Sequence, residues 1–132
     1  MIIFANIMLL IISWILIYCI ANTLSIVLIG DRSLISGNLL NIDNMVRLIF
    51  NWKFILAMVF AVICRISFIM LNNALLKIPK LAGTSTTITT FATLLSLVFV
   101  LLANYFFLAE KLNLNQAIGA FIVVVGITIM FR

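Results

Sequence analysis

Long apolar stretches alternate with short polar intervals along this chain, and the period of that alternation is that of a helical membrane protein. The first stretch runs from about residue 3 to residue 29 and holds no charge, although Asn6, Ser13, Asn22, Thr23 and Ser25 interrupt its apolar surface. The others run over about 53–76, 84–108 and 114–131. Crossing a bilayer takes about 20 apolar residues in a helix rising 1.5 Å per residue, and a helix satisfies its own backbone polar groups in lipid. The pattern therefore predicts an all-α integral membrane protein, a bundle of four transmembrane helices forming one domain, with no soluble domain left over.

The intervals carry the stop signals. Gly30-Asp31-Arg32 ends the first span, and the interval up to Lys53 is the longest polar stretch. Within it, Met45 to Phe50 reads as a short amphipathic turn lying on the membrane surface. Lys77-Ile78-Pro79-Lys80 makes a tight helical hairpin, because proline removes a backbone donor and biases Ile78 away from the helical region. Glu110-Lys111 separates the last two spans. The N-terminal run reads as a retained span, since no basic residue precedes it and it is too long for a signal-peptide core.

Composition agrees: of 132 residues 67% are hydrophobic and 8% charged, with a mean hydropathy of +1.41. The net charge of +5 comes from basic residues that flank spans singly, so they read as interfacial anchors and exclude a nucleic-acid footprint. With four spans, Lys77, Lys80 and Arg132 share one side with the N-terminus, and Arg32, Arg47, Lys53 and Lys111 share the other. That near balance specifies orientation weakly, leaving open both insertion in two orientations and a topology with cytoplasmic termini. Cys19 and Cys64 fall inside spans and read as small hydrophobes; with no histidine in the chain they make neither a structural disulfide nor a metal site. No phosphate-binding glycine loop and no nucleophile with a base nearby occur, so an enzyme is not expected, nor a cofactor.

The candidate chemistry centres on Arg65, near the middle of the second span. A charge at that depth costs about 2.5 to 3.5 kcal/mol on insertion scales and is by default functional. Asn72, seven residues on, shares its helix face. In one reading this face lines an internal cavity where the guanidinium grips a phosphate or diphosphate with paired hydrogen bonds. In the other, Arg65 pairs with an amide or carbonyl of another helix, or snorkels. Asp31, Asp43 and Glu110 all lie at or beyond span ends, so an anionic ligand is the partner the sequence leaves open. Asn22 is the polar candidate of the first span. Thr86, Thr90 and Thr93 recur at helical spacing and form a hydroxyl face, read chiefly as packing glue, with headgroup binding as the alternative. Gly119 and Gly126 place two side-chain-free patches on one face of the last helix, for close approach of another helix in the same chain or in a partner.

In its second half the chain resembles a known family. Leu75-Leu76-Lys77-Ile78-Pro79, then Phe107-Leu108-Ala109-Glu110-Lys111-Leu112 and Gln116-Ala117-Ile118-Gly119-Ala120-Phe121 running on to Gly126-Ile127, resemble the four-helix EamA-type and small multidrug resistance branches of the drug/metabolite transporter superfamily. The resemblance covers about residues 55 to 131; over the first fifty residues it rests on helix count. It implies a transporter working as a dimer, either a homodimer or a paired small subunit, with Gly119 and Gly126 at the dimer seam, in a bacterial inner membrane. The exporters of that group carry a glutamate in the first helix, and this chain has none there. The chain looks more like the small members that move lipid-linked sugars, although Gly83-Thr84-Ser85-Thr86 replaces their usual Ala-Tyr-Pro segment and the loop before the second helix is longer.

These readings converge on a flippase of an anionic lipid-linked sugar or related amphiphile, working by alternating access among membrane lipids, with Arg65, Asn72, Asn22, Thr86 and Thr90 at the substrate. The alternatives are a small multidrug or cation exporter of the same fold, and a non-transporting membrane subunit or scaffold.

Overall fold

The computed structural model describes residues 2–130; the last residue of the expected fourth span and Arg132 lie outside the described residues. Among the described residues all regular structure is helical: α1 (Ile2–Ile29), α2 (Arg32–Ile35), α3 (Ile42–Ile49), α4 (Trp52–Leu76), a 3-10 turn (Ala82–Thr84), α5 (Ser85–Phe107) and α6 (Leu114–Met130). α1, α4 and α5 start and end within a residue of the expected spans.

α1, α4 and α5 are long and apolar enough to cross a membrane, which suggests an integral membrane protein. The fourth expected span coincides with α6 over its described residues: α6 starts at Leu114, after a non-helical connection from Leu108 to Asn113, and has 17 described residues, about 25 Å of helix. Among the described residues there are thus three helices of membrane-crossing length and a fourth, apolar helix below that length.

The polar interval between α1 and α4 is used for capping. Asp31 accepts from the Ser33 N–H (3.0 Å) and hydroxyl (2.9 Å) and also pairs with Lys53, tying the end of α1 to the start of α4. Asn41 caps α3 by accepting from the Asp43 N–H, and Asn51 caps α4 by accepting from the Lys53 N–H at 3.0 Å. Such side-chain acceptors satisfy donors that a helix start leaves free. The amphipathic segment begins earlier than expected: α3 aligns Ile42, Met45, Val46 and Ile49 on one exposed face, with Asp43, Asn44 and Arg47 elsewhere around the helix.

α1 is the central helix. α4 packs antiparallel along it, with the Ser25 hydroxyl donating to the Ala57 carbonyl (3.0 Å) and the Cys64 thiol to the Tyr18 carbonyl (3.8 Å). α5 runs parallel to α1 and also touches α4; Asn22 Nδ2 of α1 donates to Ser96 Oγ of α5 at 2.9 Å. Small residues make this closeness possible. The buried stripe of α5 reads Ser85, Thr89, Ala92, Ser96, Val100 and Ala103, and α4 contributes Ala57, Cys64, Ser67 and Ala74. Lipid tails are as apolar as leucine, so helices in a bilayer associate through close packing and cross-helix hydrogen bonds, which small side chains permit. Both cysteines are buried and free. Larger side chains gather at the Pro79 hairpin, where Ile11, Leu71, Ala74, Leu75, Ile78 and Ala92 form the apolar core beside a 290 Å³ cavity.

α6 packs chiefly on α5, and Ala120, Val123, Val124 and Ile127 are its less exposed positions. The rest of its surface is exposed. A Cβ added at Gly119 or Gly126 would meet nothing within 4 Å, so neither glycine serves packing inside the described chain.

Candidate functional site

Arg65 lies on α4 about 20 Å from its start at Trp52 and about 17 Å from its end at Leu76, at 1.5 Å per residue. It is exposed. Val62, Ile66 and Ile69 share its outward stripe, and Ile55 and Val59 continue that stripe towards Trp52. The expectation of an internal cavity around Arg65 is not met: the side chain projects from the outer surface of the helix bundle. The reason lies in the register of α4. Its seam residues Ala57, Cys64, Ser67 and Leu71 face α1 and α5, and Arg65, one residue from Cys64, is turned about 100° around the helix axis from it. Among the described residues the Arg65 side chain makes no hydrogen bond and no ion pair.

The other expected site residues divide into two hydrogen-bonded pairs. Asn72 Nδ2 donates to Thr86 Oγ1 at 3.2 Å, joining α4 to α5 near the Pro79 hairpin. Asn22 joins α1 to α5 through Ser96, whose own hydroxyl donates to the Thr93 carbonyl at 2.7 Å. The two pairs are far apart. With Tyr18 opposite Cys64 and Ser25 opposite Ala57, Asn72 falls opposite about Leu10 of α1, roughly 18 Å along the bundle from Asn22. Asn22 and Asn72 therefore do not share a binding site. Thr90 is exposed and its hydroxyl donates to the Thr86 carbonyl at 2.8 Å.

The expected threonine face is thus rotated away from the seam. Ser85, Thr89 and Ser96 turn inward, whereas Thr86 and Thr90 flank them outside. Sequence reasoning missed Thr89 and Ser96, although the spacing of small residues through Ser85, Thr89, Ala92 and Ser96 was the signal that could have found them. It also missed the buried polar atoms without a partner among the described residues, which are Trp14 Nε1, Ser67 Oγ, Asn72 Oδ1 and Asn104 Oδ1. Asn72 is thus half satisfied, donating to Thr86 while its carbonyl oxygen is free.

All three carboxylates stand away from Arg65. Asp31 is held by Lys53 first and by the Ser33 N–H and hydroxyl next, which lowers its pKa from 3.8 to about 2. Asp43 lies in the first turn of α3, and Glu110 follows α5 in the non-helical connection. Among the described residues no cluster of histidine, cysteine or carboxylate groups could hold a metal ion. Compared with family models, with curated proteins and with solved structures, the chain matches none.

Proposed function

We propose that this protein is a membrane carrier for an anionic amphiphile, a lipid-linked sugar phosphate or related lipid, with Arg65 as its anion-binding group. One observation carries the reading: a permanently charged guanidinium stands at mid-depth on a lipid-length helix, faces outward, and has no partner among the described residues. A cargo that stays in the bilayer reaches such a group laterally, presenting its phosphate to the arginine while its tail stays in lipid. The resemblance of residues 55 to 131 to the drug/metabolite transporter superfamily supports the same class, and the open Gly119/Gly126 face of α6 supports a second copy or a paired subunit completing the pathway.

A cation exporter of the same fold would need an intramembrane carboxylate, and the carboxylates of this chain stand at helix ends. The scaffold reading has one observation in its favour: Asn22, Ser96, Asn72 and Thr86 are engaged in joining helices. The two readings part in a ligand experiment. Polyprenyl phosphate, the uncharged polyprenol and a quaternary ammonium drug are added to protein in lipid nanodiscs, with wild type and Arg65→Gln in parallel. A carrier is stabilised by the phosphate compound alone, by mass action, and the variant loses that gain. Equal stabilisation by polyprenol, or by phosphate in both proteins, overturns the proposal.

A further inference from the structure

The start of α2, the connection after α5 and the first turn of α6 enclose a second group of charges, well away from Arg65. Arg32, Glu110, Lys111 and Gln116 line one open cavity of about 560 Å³, walled on its inner side by Leu101. The volume lies within the range of small-molecule sites. Opposite charges meet here without neutralising one another, for among the described residues the single ion pair is Lys53 with Asp31. Asp31, the carboxylate next to Arg32 in the chain, is committed to Lys53 and Ser33, so Arg32 is left available.

The walls are built rather than loose. The Leu108 and Glu110 N–H groups both donate to the Asn104 carbonyl, at 3.0 and 3.3 Å, and Ala109 between them takes φ 52°, a left-handed conformation that a side chain disfavours. That turn delivers Glu110 and Lys111 to the same cavity. Gln116 Oε1 accepts from the Asn113 N–H at 2.9 Å, which leaves its amide N–H groups as donors.

We propose that this cavity is an interfacial site for a phospholipid headgroup bearing both a phosphodiester and a primary amine, of the ethanolamine type. Arg32, Lys111 and the Gln116 amide take the phosphate, the guanidinium supplying paired donors. Glu110 takes the ammonium. The position suits an amphiphile, since the charged groups follow the ends of membrane-length helices and Leu101 meets the first carbons of the tails. Chemistry also separates this headgroup from choline: an ammonium offers N–H donors to Glu110, and a quaternary trimethylammonium offers none. The site stands whether or not the chain moves a lipid.

The test purifies wild-type protein from bilayers of equal ethanolamine, choline and glycerol phospholipids, strips loosely held lipid, and counts what remains by mass spectrometry. Wild type retains the ethanolamine lipid over the choline lipid about two- to five-fold, the size of an exposed charge pair. Glu110→Gln brings that ratio to parity and leaves glycerol-lipid retention in place, while Arg32→Gln with Lys111→Gln lowers all three. Equal retention of ethanolamine and choline lipids by wild type overturns the proposal, independently of how any variant folds. A preference that survives Glu110→Gln, or a preference for the anionic glycerol lipid, overturns it too.

Discussion

Replacing Arg65 with leucine separates the two steps by which a membrane helix reaches its place. At the centre of a span, arginine disfavours insertion by about 2.5 to 3.5 kcal/mol and leucine favours it by about 0.3 to 0.6, so Arg65→Leu improves insertion of α4 by about 3 to 4 kcal/mol, more than a hundredfold. The second step, packing inserted α4 against α1 and α5, behaves differently. Arg65 faces outward and makes no hydrogen bond or ion pair among the described residues, so tertiary stability changes by less than about 0.5 kcal/mol. The first quantity is read from glycosylation-mapped insertion of the isolated α4 segment, the second from unfolding of the whole protein in bilayers. Loss of about 1 kcal/mol or more in the second measurement refutes the reasoning, for it means that the guanidinium is held inside the chain.

Other perturbations probe the seams and the ends. Asn22→Ala and Ser96→Ala, combined in a double-mutant cycle of bilayer unfolding, give a coupling of about 0.6 kcal/mol and not above about 1.7. Ala57 is fully buried against α1, so Ala57→Leu overpacks that seam and destabilises by about 1 to 3 kcal/mol in the same assay. If the open Gly119/Gly126 face is the seam of the proposed pair, Gly119→Leu with Gly126→Leu abolishes energy transfer between labelled chains in vesicles and introduces no clash inside one chain; transfer that survives both substitutions refutes that seam. Asp31 has a lowered pKa, so its contribution to stability is full above pH 3.8 and is lost as pH falls through about 2. The difference in thermal midpoint between wild type and Asp31→Asn is accordingly constant above about pH 4 and shrinks towards pH 2.

The sequence by itself determined the helical class, the positions of three membrane-length helices and their connections. Each follows from a local cause: a run of apolar residues long enough to span, a capping Asn51 or Asp31, a proline at 79 that stops α4. Hydropathy is a sum over neighbours in the chain, and so it needs no tertiary information. Rotation about each helix axis is another matter. Whether Arg65 faces a cavity or the outside, and whether Thr89 or Thr90 lies in the buried seam, depends on which stripe of α4 and α5 packs against α1, and in an apolar helix hydrophobicity is nearly equal on all sides. The small-residue seam decided it, because close approach is possible only along Ala57, Cys64 and Ser67 on one helix and Thr89, Ala92 and Ser96 on another. Only the tertiary structure separated Asn22 from Asn72 along the bundle, or brought Arg32 to Glu110 and Lys111 across nearly eighty residues of chain. Depth and facing are relations between helices, and no single helix carries them.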